Sequence, residues 1–156
     1  GVVANDRGIT VWLKGNRVSR NQIMAIKEES VTDQKNSLTV CLDNILRHAG
    51  ITRNTEYDLA QGKTAIQILE ENMTGVQVLD LSGCSLDAVL YYVNQDIPVL
   101  AILEDGEAVL VTGFNEFNVV IMEPSTGKLY KKGMNDATTW FAENGNHFIS
   151  YMKIDN

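Results

Sequence analysis

Few side chains in this chain could carry out nucleophilic chemistry with an imidazole partner. The 156 residues contain two cysteines, Cys41 and Cys84, and two histidines, His48 and His147. A cysteine nucleophile needs an imidazole within hydrogen-bond reach that helps to form the thiolate. His48 follows Cys41 by seven residues, which on one helix is about 10 Å and too far for a hydrogen bond. An active cysteine peptidase or transferase that uses Cys41 is an alternative hypothesis, but it cannot rely on His48 if the two residues share one helix.

The same residues do not have the spacing of a metal site. The sequence contains no Cys-x-x-Cys and no Cys/His ligand spacing, so we expect no metal site and no cofactor. The acidic run 104–107 offers oxygen ligands without the spacing of a calcium loop. Its Asp-Gly pair is instead typical of a hairpin turn. Both cysteines are predicted to behave as small hydrophobic side chains.

Composition and charge limit the classes of partner. Hydrophobic residues make up 44% of the chain, and the length fits one domain with its own core. The formal net charge of −7 disfavours nucleic acid and suits a basic peptide better. No apolar run approaches the roughly 18 residues that would predict a membrane span. Because the chain starts at Gly1 rather than Met, we expect a mature chain or part of a longer polypeptide. The compartment stays open, with an extracellular or cell-surface location as one option.

One helix is predicted strongly, over residues 37–48. Asn36 or Ser37 stands where an N-cap belongs, and Gly50 stands where the helix should end. Apolar residues recur through this segment at helical spacing. Cys41 lies in that apolar stripe, so we expect it to face the core.

The elements around this helix predict an α+β fold. Residues 1–20 are predicted to be a lead-in with one strand, and residues 21–156 to form the domain. Short helices are expected within 55–73 and at 85–93, and a strand at 76–81. Strand-like runs then follow at 98–103, 108–114 and 118–122, separated by short polar turns, which is typical of an antiparallel meander. A short strand at 128–131, a helix at 135–143 and a closing strand at 148–154 complete the prediction. Because helices dominate the first half and antiparallel strands the second, we expect helices packed on a sheet rather than a doubly wound fold.

Three segments together resemble one known family. They are NSLTVCLDNILRHAG at 36–50, DIPVLAIL at 96–103, and EAVLVTGF at 107–114 followed by VVIMEPSTG at 119–127. In order and spacing they resemble the bacteriocin-processing peptidases, papain-like cysteine peptidases that cleave double-glycine leaders. The resemblance covers roughly residues 31–156 and implies a papain-like fold.

The register of this resemblance decides which residues take the catalytic positions. In the family the nucleophilic Cys precedes the helix-ending Gly by thirteen residues, which is the distance from Ser37 to Gly50. The family His aligns with Glu107, and the family Asp, sixteen residues later, aligns with Glu123. The oxyanion-hole Gln aligns with Val31. Gln34 lies nearby in a different register.

The resemblance therefore implies a peptidase scaffold without the peptidase reaction. All four mechanistic positions are changed, and a carboxylate is a poor substitute for the imidazole that would activate a serine. We predict a catalytically inactive domain that binds a peptide or a partner-protein segment in the former active-site cleft. The expected binding residues are Gln34, Ser37, Glu107 and Glu123. A structural module of a larger surface or exported protein is the other alternative.

Overall fold

The computed structural model describes residues 22–23 and 36–154. The strand expected at 8–13, the boundary near residue 20, Val31 and Gln34 lie outside these ranges. The helices of the described part are α1 (Ser37–His48), α2 (Glu56–Ala60), α3 (Ala65–Asn72), α4 (Leu86–Val93) and α5 (Met134–Glu143). Its strands are β1 (Gln22–Ile23), β2 (Val76–Asp80), β3 (Val99–Ile102), β4 (Ala108–Phe114), β5 (Asn118–Glu123), β6 (Lys128–Gly133) and β7 (His147–Lys153).

Local signals in the sequence account for both ends of α1. At its start the Asn36 side chain accepts a hydrogen bond from the backbone N–H of Leu38 at 2.7 Å, which satisfies one of the free donors of the first turn. At its end Gly50 has a φ of 88° and its N–H donates to the carbonyl of Arg47 at 2.9 Å. The next N–H, of Ile51, donates to the carbonyl of Leu46 at 2.8 Å. These two bonds form a Schellman motif, in which glycine takes the left-handed position without steric cost.

The sheet is antiparallel throughout, with strand order β2-β7-β3-β4-β5-β6 and β1 paired with β4. The meander predicted from 98 to 122 is present and continues into β6. The closing strand β7 lies between β2 and β3, so the last strand of the chain joins the early strand β2 to the meander. The α+β prediction is confirmed at this level.

Helices cover both faces of this sheet. Alternate residues of β3 belong to different cores: Val99 and Ala101 pack with α4 and α5, whereas Leu100 packs with α1 and α3. The prediction had N-terminal helices packed on a C-terminal sheet and did not include helices on both faces; the expected strand at 76–81 and helix at 135–143 are present as β2 and α5. A strand buried on both faces carries a continuous apolar run, which explains the run at 97–103.

The two outer strands of the sheet differ in charge. β6 carries Lys128, Lys131 and Lys132, and the ammonium of Lys132 lies 4.7 Å from the ring centroid of Trp140 on α5. β2 at the other edge has the sequence VQVLD and no lysine. Within the described ranges no helix is long and apolar enough to cross a bilayer.

Candidate functional site

The first residue of α1 is hydrogen-bonded to the first residue of β4. The backbone N–H of Ala108 donates to the hydroxyl oxygen of Ser37 at 2.9 Å, across 71 residues of sequence. Ser37 is half-buried. Because Glu107 directly precedes Ala108, this contact brings together two of the residues that the sequence predicts for the site.

Glu107 lies at the end of the hairpin that leads into β4. It is exposed, and its backbone N–H donates to the Asp105 carboxylate at 2.9 Å. Gly106 between them has a φ of 86°, as the Asp-Gly turn signal predicts. The turn thus fixes the backbone of Glu107 and leaves its side chain accessible from solvent.

Glu123 ends β5, beside Lys128 on the neighbouring strand. One of its carboxylate oxygens accepts a hydrogen bond from the backbone N–H of Ser125 at 3.1 Å. The Glu123 carboxylate also lies near enough to Cys41, one turn into α1, to act on its thiol electrostatically. Of the predicted binding residues, Ser37 and Glu107 are therefore adjacent, Glu123 lies toward Cys41, and Gln34 is outside the described ranges.

Cys41 is packed inside the core beneath α1. Its exposed fraction is 0%, and burial raises the pKa of its thiol well above the usual value, with the negative charge of Glu123 adding to the rise. Both causes disfavour the thiolate that a cysteine nucleophile needs. The expectation that Cys41 faces the core is confirmed. Cys84, which was also expected to behave as a small hydrophobic side chain, is only partly buried and lies against the α4 core.

The two histidines make contacts in other places. His48 Nε2 lies 3.0 Å from the backbone oxygen of Asp96, at the opposite end of α1 from Ser37. His147 Nε2 lies 3.6 Å from a carboxylate oxygen of Glu104. Neither of these histidine contacts involves Cys41 or Ser37. No group of three or more metal-binding side chains occurs within 22–23 and 36–154.

A concave surface lies at the C-terminal end of α1 and was not predicted from the sequence. It is a groove of about 600 Å³, and its lining includes His48, Asp96, Tyr151 and Lys153. These residues come from three different elements, so no local motif connects them. The only sequence signal was His48 near a helix end, which is also what an ordinary capping residue looks like.

Comparisons with known proteins identify the fold. No family model matches the sequence, and no curated protein matches it. A crystal structure from Bacillus anthracis, described as a "putative C39-like peptidase", superposes with a TM-score of 0.69 at 14% sequence identity. The match covers 86% of this chain and 98% of that chain. At this identity the likeness concerns the fold, and the described chain therefore has the fold of a C39-like peptidase.

Proposed function

We propose that this is a catalytically inactive, papain-like peptidase domain that binds a peptide or partner-protein segment between the start of α1 and the start of β4. The observation that carries the proposal is the 2.9 Å hydrogen bond from the Ala108 N–H to the Ser37 hydroxyl. It supports the register in which Ser37 and Glu107 take the positions of the nucleophile and the histidine in the bacteriocin-processing family.

The chemistry of this pair favours binding over hydrolysis. A serine is activated by a neighbouring base that accepts its proton, usually an imidazole. Here the residue at the position of the base is Glu107, whose backbone adjoins Ser37 through Ala108, and the contacts of His48 and His147 are made to Asp96 and Glu104. The backbone N–H of Ala108 also uses one lone pair of the Ser37 hydroxyl oxygen. The pair can therefore hydrogen-bond and attract a ligand without providing a general base of the usual kind.

Charge indicates which ligand would be held. Glu107 at the start of β4 is exposed, and Glu123 at the end of β5 is half-buried. The whole chain carries a formal net charge of −7. Carboxylates in a partly dry cleft favour cationic groups and amide donors, so we expect a segment rich in basic or amide side chains.

The test uses the purified chain with basic and double-glycine peptides. Binding is followed by titration calorimetry, and cleavage by mass spectrometry over a long incubation. We expect saturable binding of a basic peptide, intact peptide at the end, and at least threefold weaker binding by Glu107→Gln. Glu116→Gln, which removes an exposed carboxylate from a different hairpin, is the matched control and should bind normally.

Two results would overturn the proposal. Cleavage that disappears in Ser37→Ala would make the domain a serine hydrolase, and cleavage that disappears in Cys41→Ala would establish the alternative cysteine enzyme. Absence of binding to any of the peptides would leave the structural-module hypothesis in its place.

A further inference from the structure

The groove at the C-terminal end of α1 has the size and lining of a small-molecule site. Its volume of about 600 Å³ falls within the usual range of roughly 300–1,000 Å³. Several elements end around it: α1, α3, the turn after α4, and β7. Ile51, Met73 and Val76 supply apolar lining, and all three belong to or pack on the core beneath α1.

Asp96 provides the acidic side of this groove and takes a backbone position that glycine occupies at three other helix ends. Three helices end in Schellman motifs whose left-handed residue is a glycine: Gly50 after α1, Gly62 after α2 and Gly145 after α5. The motif after α4 has Asp96 at that position, with a φ of 66°. A residue with a Cβ is disfavoured there relative to glycine, so the helix end alone does not explain an aspartate.

The Asp96 side chain is directed to solvent beside His48. The imidazole Nε2 of His48 lies 3.0 Å from the Asp96 backbone oxygen and 3.5 Å from its carboxylate. The carboxylate side chain is nevertheless 64% exposed. Asp96 is therefore held in place through its backbone, and its negative charge remains available to a ligand.

Lys153 provides a basic group on another part of the lining. It pairs with Val76 across β2 and β7 and projects on the same sheet face as Tyr151, two residues earlier. The ammonium group of Lys153 forms no ion pair with any residue of the described ranges. The groove thus combines a negative group, a positive group and several apolar side chains in its lining.

We propose that this groove binds a small zwitterion of the apolar α-amino acid or short peptide class. The ligand's ammonium group would lie against Asp96, its carboxylate against Lys153, and its side chain on Ile51, Met73 and Val76. Charge-assisted hydrogen bonds at both termini would give selectivity for free ends, because capping either end removes one charge and leaves a groove charge unpaired. The site is about 16 Å from Ser37 along α1 and does not depend on the function proposed for the cleft.

The test is a set of ¹H–¹⁵N NMR titrations of the full chain with leucine and leucyl-leucine. N-acetyl-leucine and leucine amide are the end-capped comparisons. We expect saturable shifts at groove residues such as Ile51 and Gly75, and at least tenfold weaker binding of either capped compound. Asp96→Asn keeps a residue that tolerates left-handed backbone while removing the charge, and should weaken leucine binding to the level of the capped compounds. Lys153→Met should do the same.

Lys131→Met, which removes an exposed lysine from β6, is the matched control and should bind leucine like the unchanged chain. The spectra themselves report whether each variant is folded. Equal binding of free and capped leucine would overturn the zwitterion proposal. Shifts that cluster around Ser37 and Ala108, or the absence of saturable shifts with every probe, would overturn the site.

Discussion

The two ends of α1 contact the rest of the fold in different ways. At the N-terminal end the Ser37 hydroxyl is joined to the sheet by a direct hydrogen bond with Ala108. At the C-terminal end His48 reaches the backbone of Asp96, and a groove of about 600 Å³ stays open beside them. The difference teaches that one helix can be joined directly to the sheet at one end and border an open polar surface at the other.

The largest expected effect is a difference in reaction rate between a thiol at the start of α1 and the thiol of Cys41 in its middle. In a Cys84→Ala background, Cys41 is buried and its thiol pKa is raised, so it should react with a disulfide reagent only when the structure opens. A half-buried thiol introduced by Ser37→Cys should react about 10³-fold faster or more, since opening a typical domain costs several kcal/mol. Absorbance of the released thiolate measures both rates. Fast native-state reaction of Cys41 would contradict its placement and favour the cysteine-enzyme alternative.

Truncation of a core side chain in the middle of α1 should lower the stability of the whole fold. Leu42 is fully buried, so Leu42→Ala should lower the free energy of unfolding by about 2–5 kcal/mol. Leu38→Ala, the same change at a half-buried position of the same helix, should cost clearly less. Urea unfolding followed by circular dichroism measures both values. Equal costs would mean that the core beneath α1 is not packed as described.

Alkaline pH should lower the free energy of unfolding through the Cys41 thiol. The folded state raises the pKa of the Cys41 thiol above its unfolded value of 9.0. The neutral thiol therefore stabilises the fold fully below that value, and the contribution is lost as the pH rises toward the folded pKa. Between pH 9 and 10 the free energy of unfolding should fall, with up to about 1 kcal/mol from this group. Cys41→Ala should show a shallower fall in urea titrations at the two pH values, and an identical fall would exclude the thiol as the cause.

Loss of the contact at the N-terminal end should have a moderate effect. Ser37→Ala removes the acceptor for the Ala108 N–H, which should cost about 1 kcal/mol of stability. Ser85→Ala removes the N-cap hydroxyl of α4 and should cost a similar amount, so it controls for the loss of one serine hydroxyl at a helix start. Urea unfolding gives both costs. Slower amide exchange of Ala108 in the unchanged chain than in Ser37→Ala would tie the loss to this bond, and equal exchange would argue against it.

Two exchanges between glycine and aspartate separate backbone preference from charge at the ends of α4 and α1. Asp96→Gly relieves a left-handed aspartate and should raise stability by about 0.5–1 kcal/mol, less the small contribution of its exposed contact with His48. Gly50→Asp should lower stability by about 1–2 kcal/mol, because an added Cβ meets no atom within 4 Å and only the backbone opposes it. Thermal unfolding measures both. A destabilising Asp96→Gly would show that the carboxylate serves the fold rather than a ligand.

Local signals explain why much of the fold could be predicted from the sequence. Asn36 and Gly50 mark the ends of α1 by capping chemistry that acts within a few residues, and the Asp-Gly turn at 105–106 marks the hairpin into β4. The thirteen-residue spacing aligned Ser37 with the family nucleophile, and the family His aligned with Glu107; both site assignments stay predictions, while the structure shows Ser37 hydrogen-bonded to Ala108, the residue after Glu107.

The features that were missed depend on contacts between distant parts of the chain. Nothing local to β7 indicates that it lies between β2 and β3, and only that position brings Lys153 to the end of α1. The left-handed backbone of Asp96 was also missed, because the sequence offers no glycine at that helix end. The open groove is a consequence of these non-local arrangements.

The lysines of β6 have a consequence for how copies of this chain behave at high concentration. An outer strand has unpaired backbone groups that invite pairing with a second chain. Two β6 strands approaching each other would bring Lys128, Lys131 and Lys132 of each copy together, and the like charges would oppose the contact. In the described part of the chain β2 carries no lysine, so self-association through a sheet edge should begin there and should be suppressed by a lysine introduced at Gln77.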